Sequence, residues 1–339
     1  MHAGRKYQLK EVLYWTRREL LVFLIYASII TSLYVYFDIK WLSLPWVPIA
    51  LVGTAVAFLI GFKNNVCYDR LWEARRIWGG IVNESRSWGL MARDFPGNRY
   101  ANEKLTKAQL EDTKTKLIYT HLAWLTALRH QLREPRVWET MNEPHNIEYR
   151  KKFNVREYNF TLEQELDEFL SKTEISEVIS KKNRATQIVA LQSDYIKELA
   201  DKGVVDEFRY VELQKALREL LVLQGQCERI KNFPYPRQFA TFNLYFVWIF
   251  IALLPFGMLQ EFEKLGNLLV WLTVPFATLI SWVFHSMEKI GSATENPFEG
   301  SANDVPITAL SRTIEIDLRE ILNESIIPPA EKPHNNILL

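Results

Sequence analysis

Side chains that commonly do chemistry are few in this sequence, and their spacing fits no catalytic motif. There is no glycine-rich phosphate loop, no His-Glu-x-x-His motif, and no group of cysteines and histidines at metal-ligand spacing. His121 and His130 are too far apart on one helix to chelate a metal together, since chelation needs residues about one turn apart. Cys67 and Cys227 lie in separate polar segments, which predicts two free thiols. We therefore expect no enzyme activity, no bound metal and no cofactor.

Phenylalanines at helical spacing indicate a different kind of site. At about 100° per residue, one side of a helix would carry a mixed aromatic and charged stripe: Thr54, Phe58, Phe62, Asp69 and Arg76. Lys63 would point roughly the opposite way. The ordinary interpretation is a stripe that packs against protein or lipid. The functional interpretation is a ring of phenylalanines around an oligomer axis, where an apolar constriction hinders ions by losing its water.

The element that carries this stripe is one of four apolar segments. Four stretches contain no charged side chain, namely residues 20–37, 41–62, 238–260 and 265–287. Each is close to or longer than the run of about 20 residues that spans a hydrocarbon core. The average composition, 48% hydrophobic and 24% charged, hides this uneven distribution. No small-residue cleavage site follows the first stretch, so we expect it to stay in the mature protein.

The distribution of lysine and arginine predicts the orientation of these spans. Five basic residues precede the first span, whereas the link to the second span offers only Lys40. Short flanks that are rich in these residues stay on the cytoplasmic side of a membrane. We therefore predict a multi-pass protein of the inner (plasma) membrane, with both termini and residues 63–237 in the cytoplasm.

The segments outside the spans predict a helical cytoplasmic body. Residues 63–237 and 288–325 are rich in helix formers and place apolar residues at helical spacing. No proline interrupts the chain just after Phe62, so one helix should join the second span to the body, and residues 1–339 should form a single unit. Residues 326–339 are typical of a loosely held tail. The balance of 41 basic and 40 acidic residues leaves no basic excess for nucleic acid, which we do not expect as a partner.

Four segments of the sequence resemble the bestrophin family. The most specific is AFLIGFKNNVCYDRLWEARRIWGGIVNESRSW at residues 57–88. The others follow in the family's order, with LQS at residues 191–193, GQCERIKNFPYP at 225–236 and ENPFEGSAND at 295–304. The resemblance covers roughly residues 20–322, and the sequence is most similar in character to prokaryotic members.

This resemblance implies an all-α integral membrane protein, whose four transmembrane helices per subunit continue into the helical cytoplasmic body. Five copies would surround a central axis in the bilayer as a homopentameric channel for small monovalent ions. The family's hydrophobic neck corresponds to Thr54, Phe58 and Phe62, where Thr54 departs from the usual aliphatic side chain. The family's second, cytoplasmic constriction corresponds to Val189, with Ile188 as the alternative register.

The type of ion and the control of conduction stay open at this point. The resemblance implies chloride or another anion, whereas five copies of Asp69, which lies with Arg76 below the neck, would favour cations. Residues 299–304 hold too few carboxylates for the calcium site of animal members, so we expect no calcium activation. The alternatives are a monovalent-cation channel of the same fold, a secondary transporter, or a membrane-anchored scaffold.

Overall fold

A computed structural model describes the backbone of residues 1–339 and every side chain except that of His145. Twelve α-helices follow one another along the described chain, numbered here in chain order: α1 Leu9–Tyr36, α2 Trp46–Asp94, α3 Lys107–Arg133, α4 Pro144–Arg150, α5 Arg156–Asn159, α6 Leu162–Leu166, α7 Lys172–Ile179, α8 Arg184–Asp201, α9 Glu207–Asn232, α10 Arg237–Glu263, α11 Thr273–Thr294 and α12 Ile307–Ile321. Two short 3₁₀ turns, Lys40–Leu42 and Asn267–Leu272, precede α2 and α11. Among the described residues, β pairing is limited to isolated bridges near the two termini.

Four of these elements are long and apolar enough to cross a membrane, as the sequence predicts. They are α1, the first half of α2, α10, and α11 with its preceding turn. α1 packs along α11, while α10 and α11 pack against α2. The helices approach closely at Gly53, where an added Cβ would lie 2.6 Å from the ring of Phe250. Glycine is therefore needed on α2 for α10 to pack this near.

α2 is one continuous helix of 49 residues. At 1.5 Å per residue it is about 74 Å long, more than twice the thickness of a hydrocarbon core. It begins after Pro45, whose missing N–H costs nothing at a helix start. It ends just before Pro96, which a helix does not accommodate. The predicted continuity between the second span and the body is therefore observed.

The remaining helices form a body around the second half of α2. α3 lies in its centre, and residues 117–128 of α3 are almost entirely buried. α3 packs against α8, α12 and α9, and α9 and α12 also pack against α2. The indole of Trp88 on α2 donates to the carbonyl of Leu117 (3.3 Å), and Trp124 donates to Gln224 on α9 (2.8 Å). Trp88 and Trp124 thus have partners for their polar atoms as well as an apolar core around them.

The last residues correct the expectation of a loose tail over residues 326–339. Residues 329–336 are exposed, but Ile337 and Leu339 are buried in a small cluster with Phe153 and Val155. The backbone of Ala309 donates to the carbonyl of Leu339 at 2.8 Å. The reason is apolar burial, because the final Ile-Leu-Leu covers side chains that would otherwise face water. The exposed residues just before them are also held, because His334 and Asn335 both contact the carbonyl of Lys152, at 2.9 and 2.6 Å.

Candidate functional site

The predicted stripe on α2 lies on an open face of the subunit. Phe58 and Phe62 are 66% and 55% exposed, and Thr54 is also exposed. The two phenylalanine rings meet edge to face, with centroids 4.4 Å apart and an interplanar angle of 84°. Ile60 points to the other side and is 1% exposed. The helix therefore separates a phenylalanine face from a packed face, which is the geometry that the residue spacing predicts.

The hydroxyl group of Thr54 already has a hydrogen-bond partner within α2. It donates to the carbonyl of Ala50, one turn earlier on the same helix, at 2.9 Å. The proton of the hydroxyl is therefore used within the helix, and only acceptor capacity is left for water. At the outer end of the stripe Thr54 presents one weakly polar group beside an otherwise apolar face.

Below the phenylalanines the exposed face continues without a break. Asn65, Asp69, Trp72 and Arg76 all follow on the same side of α2, and all four are exposed. Neither Asp69 nor Arg76 forms an ion pair with any side chain that the structure describes. Tyr68 stacks on Trp72, with ring centroids 6.4 Å apart. The sequence prediction omitted Asn65 and Trp72, although the same helical spacing contains them.

The opposite side of α2 carries a buried ion pair at this level. Lys63 is 2% exposed, and its Nζ donates to Glu288 Oε1 on α11 at 2.5 Å and to Ser292 Oγ at 2.7 Å. The predicted direction of Lys63 is confirmed. Its partner could not be inferred from spacing, because Glu288 lies on a different helix far along the chain.

The predicted second constriction on α8 needs correction. Ile188 is fully buried and Val189 is 4% exposed, and both belong to the apolar core of the body. This side of α8 is covered by α3 and α9, and the neighbouring Gln192 donates to the carbonyl of Leu117 on α3 at 3.0 Å. Neither Val189 nor Ile188 therefore faces open space. The exposed side of α8 instead carries Thr186, Ala190 and Asp194.

The ENPFEGSAND segment packs into the body through buried carboxylates. Glu299 accepts hydrogen bonds from the backbone N–H and the hydroxyl of Thr140, both at 2.9 Å. Asp304 accepts from the N–H of Gly300 at 2.7 Å and faces the guanidinium of Arg133 at 3.2 Å. Burial raises the pKa of Glu299, and the nearby charge of Asp304 adds to the shift. The positive charge beside Asp304 thus comes from Arg133. For this segment the sequence predicts no calcium site.

A second buried ionic cluster lies beside the first and was missed from the sequence. Arg129 contacts both Glu157 and Glu165, and His130 lies 2.7 Å from Glu165. Burial alone would raise the pKa of Glu165, but the hydrogen bond to His130 and the charge of Arg129 outweigh it and lower the pKa to about 2. One signal was available, because Arg129 interrupts the apolar run of α3 and lies one turn before the equally buried Arg133.

Comparison with protein families matches residues 9–320 to the family described as Bacterial/Fungal Bestrophin protein. The chain therefore belongs to this family, as its resemblance implies. A voltage-dependent anion channel-forming protein of Ralstonia nicotianae is 27% identical over 307 residues, covering 89% of this chain and 86% of the relative. A protein of the same description in Escherichia coli, YneE, is 25% identical over 326 residues, covering 95% and 91%.

The fold is also that of a solved bacterial bestrophin. The crystal structure of a bestrophin homologue from Klebsiella pneumoniae superposes with a TM-score of 0.74. The match covers 91% of this chain and 98% of the other, at 23% sequence identity. At this identity the comparison establishes the fold, and the all-helical architecture with four apolar spans is that of a bestrophin.

Proposed function

We propose that this chain is the subunit of a homopentameric channel that passively conducts small monovalent ions, and anions in particular, across the plasma membrane. Both termini and the helical body would lie in the cytoplasm. Thr54, Phe58 and Phe62 would form the neck of the pore. The family membership and the names of the relatives, which are called anion channel-forming proteins, support a channel rather than an enzyme.

The observation that carries the proposal is the unbroken open face of α2. Contact with lipid alone would not explain why large aromatic side chains are also exposed on the part of α2 that follows the span. Tyr68 and Trp72 are 59% and 52% exposed there. Large exposed apolar groups in the aqueous part of a protein mark a binding surface or an assembly axis. One α2 cannot enclose a path, so a pore along this face would need a closed ring of subunits.

The phenylalanines supply the barrier of such a pore. In the neck an ion must shed water, because the rings offer no hydrogen bonds in its place. The positive edge of each aromatic ring gives an anion a weak electrostatic contact that a cation lacks. Phe58 and Phe62 meet edge to face, so their ring edges point in different directions around the helix. A ring edge that faces the axis would favour anions at the narrowest point.

The charges below the neck act in two directions. Asp69 would form a negative ring nearest to the neck, whereas Arg75 and Arg76, both exposed and without an ion pair among the described side chains, would form a larger positive one. The positive excess supports anion conduction and agrees with the descriptions of the relatives. The cation-conducting alternative rests on the position of Asp69 alone. Reversal potentials distinguish the two.

Single-channel recording of the purified protein in planar bilayers, under a gradient of potassium chloride, tests this function. We expect unitary current steps and a reversal potential that is closer to the equilibrium potential of chloride than to that of potassium. Arg76→Gln should move the reversal potential toward that of potassium, and Asp69→Asn should move it further toward chloride. Arg218→Gln on the exposed side of α9 removes the same charge outside the α2 face and should leave it unchanged. Intact oligomers without current steps would contradict the channel function.

A further inference from the structure

α1 lies at the edge of the subunit and leaves one side uncovered. It packs mainly along α11 and has few contacts with α10. On its other side, large apolar residues in the span are exposed: Leu21, Val22, Leu24, Ile25 and Ile29. No element of the subunit covers this apolar surface, and in a membrane it would be in contact with acyl chains.

This apolar face ends in two adjacent arginines. By helical arithmetic, Arg17 is in line with Leu21 and Leu24, and Arg18 is in line with Val22 and Ile25. Their side chains are 42% and 53% exposed. With α1 across a membrane, the guanidinium groups would stand at the level where acyl chains give way to headgroups.

The acidic residue that follows the two arginines does not neutralise them. Glu19 is turned to the inner side of α1, where its carboxylate accepts from Lys289 on α11 at 2.8 Å. His285 lies 3.8 Å from the same carboxylate. The outward side of α1 at this level therefore keeps its positive charge.

A single carboxylate from α4 holds both arginines. Arg17 Nη2 lies 2.6 Å from Glu148 Oε2, and Arg18 donates to the other carboxylate oxygen. One negative charge thus faces two positive ones, and each guanidinium keeps N–H donors that point elsewhere. The ring of Tyr14 also contacts this group. Arg17 Cζ lies 3.9 Å and Lys152 Nζ 4.0 Å from the centroid of the ring. The result is a pre-oriented pair of guanidinium groups with a net positive charge.

We infer that this pair binds the phosphate headgroup of an anionic phospholipid from the cytoplasmic leaflet. Two oriented guanidinium groups match the oxygens of a phosphate, and cytoplasmic leaflets attract basic groups close to a span. The acyl chains would lie on the apolar face that begins at Leu21. A soluble phosphate would use the same guanidinium groups but leave that face empty, and for this reason the occupant is a lipid. The site requires α1 to cross the membrane and does not depend on ion conduction.

Native mass spectrometry of the purified oligomer tests the site. The protein is mixed with equal amounts of phosphatidylglycerol and phosphatidylcholine, and the bound lipids are counted per subunit. We expect the wild type to keep phosphatidylglycerol in preference to phosphatidylcholine. In the double variant Arg17→Gln/Arg18→Gln that preference should fall roughly thirtyfold, as expected for the loss of two juxtamembrane basic groups. The variant Lys104→Gln/Lys107→Gln removes the same charge at exposed positions before and at the start of α3 and should keep the preference.

A second variant covers the case in which the double variant does not assemble. Glu148→Gln removes the carboxylate that competes with the phosphate, so the retention of phosphatidylglycerol should rise several-fold. Unchanged or lower retention in this variant would overturn the inference. Equal losses in the Arg17/Arg18 and Lys104/Lys107 variants would overturn it too, since net charge alone would then explain the binding. Displacement of the bound lipid by millimolar inorganic phosphate, with no dependence on the acyl chains, would reassign the site to a soluble anion.

Discussion

Lys63 and Glu288 form a buried ion pair between α2 and α11, directly under the proposed neck. The distance from Lys63 Nζ to Glu288 Oε1 is 2.5 Å, and the two side chains are 2% and 7% exposed. Lys63 follows Phe62 in the chain but points to the opposite side of the helix. Because Asn64 also donates to the carbonyl of Met287 at 3.1 Å, two successive residues fix the lower end of the neck to α11.

Replacement of Lys63 should destabilise the assembled protein. Lys63→Met leaves the Glu288 carboxylate buried without a cation, a change that costs on the order of 3–5 kcal/mol in proteins. We expect a clearly lower thermal unfolding midpoint of the detergent-solubilised oligomer. The double variant Lys63→Met/Glu288→Leu should recover most of the loss. Lys264→Met, at an exposed surface pair, should have little effect. An unchanged midpoint for Lys63→Met would show that the pair contributes nothing.

The two sides of α2 should respond differently in conduction. Phe58→Ala removes an exposed ring from each subunit, widens the proposed neck and lets water fill it, so both conductance and open probability should rise. Ile60→Ala removes a buried side chain on the other side, which should lower stability by roughly 2–5 kcal/mol but leave the current per channel nearly unchanged. Single-channel recording compares them. Activation by Ile60→Ala but not by Phe58→Ala would show that the pore lies on the other side of α2 from the one proposed.

Topology can be tested by cysteine labelling in intact cells. Asn102→Cys is predicted to lie in the cytoplasm, where a membrane-impermeant maleimide does not reach it. Leu265→Cys, in the exposed turn between the last two spans, should be labelled from outside. The native Cys67 and Cys227 are both buried and should give little background. Labelling of Asn102→Cys from outside would reverse the proposed orientation of every span.

Acid should weaken the body through His121. This side chain is fully buried between Trp88 and Trp124, and burial lowers its pKa to about 3, because a charged imidazole would lie there without water. In the unfolded chain its pKa is about 6.5. Between these values the unfolded state binds the extra proton, so stability is present above pH 6.5 and decreases as the pH falls, by at most about 1.4 kcal/mol per pH unit.

The thermal midpoint measured from pH 7.5 down to pH 4.5 checks this dependence. His121→Phe keeps a flat ring between the tryptophans but cannot titrate, so its midpoint should fall less steeply with acid than that of the wild type. His334→Phe alters an exposed imidazole and should leave the slope as it is. Equal slopes for wild type and His121→Phe would assign the acid sensitivity to other groups.

The sequence was most informative where one regular helix decides the geometry. The opposed directions of Phe58 and Lys63 follow from helical arithmetic, because α2 has no break over 49 residues. Val189 was misplaced because the buried side of α8 depends on α3 and α9, which a local pattern does not contain. The pair Arg133–Asp304 joins residues that are 171 positions apart, so spacing along the chain gives no hint of it.

The continuity of α2 also sets an order of events on the ribosome. Its lower half buries Trp78, Ile81 and Trp88 against helices that include α12, and α12 packs closely at Gly89. α12 begins only at Ile307, whereas α2 ends at Asp94. At a synthesis rate of about 5–20 residues per second, the side of α2 that α12 covers stays open for roughly 10–40 s after α2 is complete. The upper half of α2 therefore enters the membrane while its lower half still lacks the packing that α12 provides.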